Sequence, residues 1–589
     1  MTRRRLLFAG LAAAAAAFAA GSLWPRRDAL PPLLRGPKPA WLEDARFTDR
    51  KPGPDVLLVV YDARRRDDFS FGPFGNRRGD TRFLAAFKEQ ALYFEDAVSP
   101  GSWTVPVHAS LFSGRSVCEL GIDFYNPGYA SFDDGFLSLA EILGSAGYQT
   151  SAWADHPYFY NSDTRFSLIR GFQQFDVVND FQRYGSYTNV GTRRGAVEHR
   201  FDLEGLAAFG AADLKREVER FKRGELRFDL AREADYDPEL GLYLARLDEL
   251  FRASDYFRKR YRDDFDNYVF GPARTRPFFL FVNLHMCAMA MPDPGLFFRW
   301  LLRTVLMNAQ GRGLVLEGGD VWRQLPELTP ARRKQIFDNR FYDACFRALW
   351  EYLEERGLTR NLVSFVTSDH GVSFGEKGEA FYLHAGARPY EYITRVPLVI
   401  RFAPGSRDTR WHGRRTDKVS LTDVFKTIVD LGLGPGVFRS DTPLRSKSLL
   451  ERLERNDFDE VLVSESALVP DTYRILPGSA GYSKAVYAGT MKLLHAPELY
   501  GLSREQLAGS TRLGPEAQQA RLPSALEELY DLASDPDESR DLATQRPDVV
   551  ARLKDGAADW RCTPLRTLAV RPEWDPEALK TLKALGYVH

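Results

Sequence analysis

The sequence predicts an α/β fold: a mostly parallel sheet sandwiched between helices, with a smaller C-terminal α+β domain. Three observations carry this. The runs Asp55 to Tyr61, Gln149 to Ala154, Pro277 to Leu284 and Asn361 to Ser368 are continuously apolar or nearly so, as strands buried on both faces of a parallel sheet are. Helical patterns at about Thr81 to Leu92, Phe136 to Ser145 and Ala331 to Arg356 lie between them, and alternating strands and helices imply a sheet covered on both sides. Each run also stops at a polar residue: Asp62, Asp155-His156, His285 and Asp369-His370. In such sheets ligands bind beyond the carboxyl ends of the strands, so Asp62, His285, Asp369 and His370 are expected to gather there.

Taken in order, residues 1–24 read as an export signal or membrane anchor. Arg3, Arg4 and Arg5 precede an apolar run from Leu6 to Ala20, resembling a bacterial twin-arginine signal. Small residues at Ala17 and Ala19 allow cleavage after Ala19, and Leu6 to Trp24 is nearly long enough to remain as an anchor, so the expected location is the periplasm or the membrane facing it. Residues 25–54 form a Pro-rich linker, and 55–455 the large α/β domain. Within it, residues 180–276 form an insertion with charged helical runs at Leu214 to Gly224 and Leu242 to Arg262, either a solvated helical insertion or a lid or partner surface. Residues 456–589 form the C-terminal subdomain, with strands at Val461 to Glu465, Ser483 to His495 and Glu527 to Leu532 and a closing helix at Leu579 to Tyr587. Lys492 and His495 read there as a solvated pair at a strand end.

Across 589 residues, Lys plus Arg and Asp plus Glu both number 80, so no global basic field draws nucleic acid. Cys118, Cys287, Cys345 and Cys562 are scattered, without the paired spacing of a zinc or redox site.

The chemistry concentrates in Trp103 to Arg115, W-T-V-P-V-H-A-S-L-F-S-G-R. Pro106 suits a first helical turn, which places Thr104 just ahead of a helix N-terminus, where free N–H groups and the dipole favour an anion. His108, four residues on, is within reach of the same anion. The plainer alternative is that Thr104 only caps the helix and His108 only packs. Asp62, Asp369 and His370 make an oxygen and imidazole donor set for a divalent cation, with Thr104 as a fourth ligand whose hydroxyl the cation would acidify.

These residues resemble the sulfatase family of the alkaline phosphatase superfamily. The likeness includes V-V-Y-D at Val59 to Asp62, the Trp103 to Arg115 loop, P-F-F-L-F-V-N-L-H at Pro277 to His285 and T-S-D-H-G at Thr367 to Gly371. It continues through E-Y-I-T-R-V-P at Glu391 to Pro397, L-Y-D-L-A-S-D-P at Leu529 to Pro536 and A-L-G-Y-V at Ala584 to Val588. The resemblance implies an alkaline-phosphatase-like fold and one divalent metal ion (Zn, Mn, Ca or Mg) on Asp62, Thr104, Asp369 and His370. It implies Thr104 as nucleophile, His108 where many sulfatases carry an arginine, His384 as a substrate-side histidine, and His285 and Arg115 as substrate contacts. Three departures stand out: Thr104 where sulfatases need Cys or Ser for conversion to formylglycine, Ala63 in place of a second aspartate, and Ala290 in place of a histidine. Threonine at this position resembles the branch acting on phosphoesters, which implies hydrolysis or transfer of a small-molecule, lipid or glycan phosphodiester or phosphonate ester. The alternatives are sulfuric ester hydrolysis by a route without formylglycine, and an inactive ligand-binding relative.

Overall fold

The structure, a computed structural model, describes residues 53–69, 81–120, 137–154, 159, 168–177, 216, 219–220, 223–226, 276–285, 330–373, 376–378, 388–438, 440, 444–467, 482–495 and 527–560. The expectations for residues 1–24, for most of 180–276, for the closing helix at 579–587 and for His384, Ala290, Cys287 and Cys562 fall outside these residues.

Strand β1 (Asp55–Tyr61) has all seven residues buried, and so do β5 (Phe278–Leu284) and β6 (Leu362–Ser368). A strand covered on both faces gains about 1.5 to 3 kcal/mol for each large apolar side chain it buries, which is why these runs do not alternate. Both neighbours pair with β1 in parallel, and the registers match Tyr61 with Leu284 and with Ser368. Three strands therefore end level, and the next residue of each, Asp62, His285 and Asp369, emerges at one edge.

The other strands of this sheet are β2 (Leu92–Val98), β3 (Gln149–Ala154), β4 (Gln174–Val177), β7 (Arg395–Arg401) and β8 (Gly413–Ser420), giving the order β4-β3-β5-β1-β6-β7-β2-β8. Only the two pairings of β7, with β6 and with β2, are antiparallel among the described strands of this sheet. Helix α1 (Arg82–Lys88) ends before the expected Leu92, because the apolar residues from Leu92 on belong to β2. Its N-terminal N–H groups of Phe83 and Leu84 are capped from a distance by Asp343, at 2.7 and 2.8 Å. Helix α2 (Thr104–Ser113) is buried along its whole length. It stops at Gly114, which adopts φ 70°, and a Cβ there would lie 2.4 Å from the Phe425 ring, so both conformation and space require glycine. Helix α3 (Leu139–Ser145) opens with a Ser138/Glu141 capping box, and α4 (Pro330–Glu355) carries Asp343. Helix α5 (Asp423–Leu433) follows β8.

After helix α6 (Leu449–Arg455) comes a second, antiparallel sheet in the order β12-β11-β10-β9, built from β9 (Leu462–Ala467), β10 (Tyr482–Ala488), β11 (Met491–His495) and β12 (Glu527–Asp531). The run expected as one strand from Ser483 to His495 is a hairpin, folded at Gly489 with φ 57°. Alternation sorts its side chains. Val486 joins Val463, Leu493 and Leu529 against helix α7 (Pro547–Gly556), while Ala485 and Tyr487 face Val98 and Tyr390. Lys492 is not the solvated residue expected: it is fully buried between Glu391 and Glu538. His495 is half-buried, and burial, with Lys554 and Lys484 nearby, lowers its pKa to about 4. Cys345 is a buried cysteine. No helix among the described residues is long and apolar enough to cross a membrane.

Candidate active site

Past the level ends of β1 and β6, two short loops are stitched together. The Arg64 N–H donates to Ser368 Oγ at 2.9 Å, and that hydroxyl reaches the carbonyls of Tyr61 at 2.7 Å and His370 at 3.0 Å. Ala63 sits at φ 53°, a left-handed conformation that an alanine adopts only under constraint, and its N–H donates to Asp369 Oδ1 at 2.8 Å. The His370 N–H donates to the same oxygen at 2.8 Å. Asp369 Oδ1 is thus fully engaged. Its Oδ2 is buried and accepts no hydrogen bond from the described residues, lying 3.5 Å from His370 Nε2 and 3.8 Å from His108 Nδ1.

His370 is oriented by its Nδ1, which meets the Gly371 carbonyl at 2.7 Å. Assigning the proton to Nδ1 on that basis leaves the Nε2 lone pair pointing into the cluster, the form a metal ligand takes. Thr104 is the first residue of α2 rather than the residue ahead of it, and Pro106 is the third. The Thr104 hydroxyl donates to Asp62 Oδ1 at 3.1 Å and lies 3.3 Å from His370 Nε2. His285 Nε2 is 3.7 Å from Asp62 Oδ2.

The electrostatics are unbalanced. Burial, and then the neighbouring Asp369 carboxylate, push Asp62 well above the usual aspartate range. Burial pushes Asp369 up to about 7, against the N–H groups of Ala63 and His370. Burial lowers the His370 pKa, outweighing the pull of Asp62. Two acids and a neutral imidazole, with ligand atoms all within 4.8 Å of one another and one buried carboxylate oxygen unused, fit a divalent cation. Asp62, Asp369 and His370 would hold it, with Thr104 Oγ1 alongside.

His108 is brought near this cluster but is used behind it. Its Nδ1 meets the backbone carbonyl of Thr104 at 2.8 Å, its Nε2 lies 3.5 Å from Asn283 Nδ2, and the rings of Phe112, Phe159 and Phe281 surround it at 6.0, 5.0 and 5.7 Å. Burial lowers its pKa to about 3, so it is a neutral ring. Arg115 is not brought to the cluster: it follows the far end of α2, roughly 15 Å along the axis at about 1.5 Å per residue, and bonds Ser440 Oγ at 3.0 Å. Three residues near the site were not singled out from sequence: Ser368, Asn283 and Arg64, whose guanidinium lies over Tyr342 at 4.8 Å. Asn283 alone left a signal, as the polar break in F-F-L-F-V-N-L.

A largely parallel mixed sheet with acids, an imidazole and a hydroxyl gathered beyond its strand ends defines the alkaline-phosphatase-like class of ester hydrolases. The sulfatase family model matches residues 54–287 and 321–434, more than half of the sequence, and the chain belongs to that family. A solved structure from Bacteroides thetaiotaomicron, described as of the sulfatase kind, is 14% identical with a TM-score of 0.51, covering 89% of this chain and 96% of its own. The phosphonate monoester hydrolase of Agrobacterium radiobacter is 16% identical with a TM-score of 0.50, covering 86% of this chain and 95% of its own. At these identities the likeness is one of fold. A sequence search of curated proteins gives no match.

Proposed function

We propose that this sulfatase-family protein cleaves a phosphodiester or phosphonate ester, with Thr104 as nucleophile. The observation that carries the reading is the identity of the residue whose hydroxyl lies 3.1 Å from Asp62 and 3.3 Å from His370: a threonine. Its Cβ bears a methyl group, so oxidation would give a ketone and never the formyl aldehyde that sulfatases use to expel sulfate. A phosphorylated threonine, by contrast, can be cleared by attack of water at phosphorus. The fold itself accommodates both ester classes, so the argument rests on this side chain.

In the proposed reaction the Thr104 oxygen forms a bond to phosphorus as the bond to the leaving alcohol breaks, and Asp62 Oδ1 is the nearest acceptor for the hydroxyl proton. A divalent cation held by Asp62, Asp369 and His370 supplies acidification of the Thr104 hydroxyl and charge to offset the nonbridging oxygens. The N-terminus of α2 presents its positive dipole end to the same oxygens. His108 holds the Thr104 carbonyl in place, and His285 faces Asp62 where an incoming ester would lie. His384, the substrate-side histidine that the resemblance implies, is the proposed donor to the leaving group. Water, or an acceptor alcohol in a transferase, then takes the phosphoryl group from Thr104.

The test is comparative turnover. An aryl phosphodiester or phosphonate monoester should be hydrolysed well ahead of the matching aryl sulfate, and Thr104→Ala should abolish that activity. Steady aryl sulfate turnover that survives Thr104→Ala would overturn both substrate class and nucleophile. Export is part of the proposal, on the strength of Arg3 and Arg4 ahead of Leu6 to Ala20. Replacing both arginines by lysine should leave the protein in the cytoplasm, and unchanged export would contradict it.

A further inference from the structure

The buried ion cluster of the small sheet bears on the large sheet's candidate metal loop. Lys492, on β11, has no exposed surface. Its ammonium lies 2.9 Å from Glu391 Oε1 and 2.7 Å from Glu538 Oε1. Glu538 Oε2 accepts the backbone N–H of Glu391 at 2.8 Å. Tyr487, on β10, places its hydroxyl 3.1 Å from Glu391 Oε1 and 2.7 Å from Thr394 Oγ1. Both ends of the helical turn Glu391–Thr394 are therefore fastened to β10, β11 and the segment after β12.

That turn is the surface on which residue 371 rests. The Gly371 N–H donates to the Ile393 carbonyl at 2.7 Å, and a Cβ on Gly371 would lie 2.0 Å from the Tyr392 carbonyl oxygen, so the two backbones touch. The Gly371 carbonyl is in turn the group that orients the His370 imidazole, at 2.7 Å. A continuous path of hydrogen bonds and contacts thus runs from Lys492 through Glu391 and the 391–394 turn to Gly371 and His370. On its other side, Lys377 bonds the Glu538 carbonyl, tying the same segment to the chain that leaves the 369–373 loop.

We infer that the Lys492–Glu391–Glu538 cluster, with Tyr487, is a positioning device that sets the orientation of His370 for metal binding. An apolar trio of the same volume is often as stable as a buried ion cluster, so stability alone does not call for charges here. What charges add is geometric: the ammonium fixes two carboxylates, and the carboxylates fix one end of the turn. The cluster does not touch the substrate or the cation. Its role is carried entirely through backbone contacts. This inference rests on the reading of Asp62, Asp369 and His370 as a metal site.

The experiment measures equilibrium binding of Mn2+ or Zn2+ alone to the full chain, beside the melting temperature of the metal-free protein. The Lys492→Met/Glu391→Gln/Glu538→Gln variant keeps the volume without stranding a charge, and Tyr487→Phe removes one hydroxyl and no charge. Outer contacts of metal ligands typically govern affinity by roughly 10- to 100-fold, so about a 10-fold weaker affinity is expected for the triple variant and a smaller loss, a few-fold, for Tyr487→Phe. The metal-free melting temperature of Tyr487→Phe should stay close to that of the wild type. Wild-type affinity in a folded triple variant, or in Tyr487→Phe if the triple variant does not fold, overturns the inference while leaving the metal site standing. A wild-type protein that binds neither ion removes the metal reading itself, and the inference with it.

Discussion

Two pairs of neighbouring carboxylic acids among the described residues are balanced in different ways. At the strand ends of the large sheet, Asp62 and Asp369 lie side by side with no lysine between them among the described residues, and burial raises both against the pull of Arg64 on Asp62. Beside the small sheet, Glu391 and Glu538 share Lys492. There burial raises Glu538 to about 7, while at Glu391 the same burial is overcome by Lys492 together with Lys418 and Arg395, which lower it to about 2. The difference is one of provision. The second cluster carries its own cation and reads as architecture. The first has acids, an imidazole and a helix-borne hydroxyl converging without an ammonium among the described residues, an arrangement suited to a cation from solution.

The largest expected effect tests that contrast directly. Asp369→Ala should lose bound divalent metal together with activity, by roughly 10³-fold or more in kcat, with the sheet intact because the residue lies beyond the end of β6, although the buried N–H groups of Ala63 and His370 lose their acceptor. Elemental analysis that finds metal retained in Asp369→Ala would break the contrast, and so would wild-type protein isolated and assayed without any metal.

Next is the pH dependence of the metal-free protein. Asp369 has a folded-state pKa of about 7 against an ordinary value of 3.8, so the folded state holds the proton more tightly than the unfolded state does. Its contribution is fully present below about pH 4 and is lost as pH rises through about 7, at most about 4 kcal/mol for a shift of that size. Chemical denaturation of chelated protein should show that decline, and saturating metal should cancel it, because binding needs the ionised carboxylate. Stability that rises steadily from about pH 4 to about pH 7 without metal would contradict the account.

A third prediction concerns sign. At about pH 8 without metal, Asp369→Asn removes one of two crowded acids while its Oδ1 can still accept from Ala63 and His370, so it should stabilise the protein. Glu391→Gln removes a partner from Lys492 and should destabilise it, by about 1 to 3 kcal/mol. The same sign for both would erase the distinction between the clusters. The smallest effect belongs to Ser368→Ala, which unstitches the Arg64 N–H from the His370 carbonyl: a loss of about 1 to 2 kcal/mol, and weaker metal binding. An unchanged affinity there would mean that the two loops hold their positions without the hydroxyl.

The candidate site at the strand ends was legible because strand chemistry is local. A continuous apolar run announces β1, β5 or β6, and the residue that ends it must stand at the sheet's edge, so Asp62, His285, Asp369 and His370 could be grouped from sequence. Strands β2 and β8 were not legible: L-Y-F-E-D-A-V runs on from a helical pattern, and G-R-R-T-D-K-V-S is a charged strand at the sheet's edge. Arg115, close in sequence to Thr104, is separated from it by the coiling of ten residues into α2. Lys492 was misread because Glu391 and Glu538 reach it from far along the chain and nothing in M-K-L-L-H reveals that a lysine is buried.

The most direct test of the central claim is a single turnover with an aryl phosphodiester or phosphonate monoester, quenched in acid and read by peptide mass. The account predicts a mass increment on Thr104 equal to the phosphorus group with its remaining substituent, an ester-bearing phosphoryl group from the diester or a phosphonyl group from the phosphonate, formed in metal-loaded wild type and absent from Thr104→Ala and from chelated protein. An increment on another residue, or turnover of the same ester by Thr104→Ala, would contradict it.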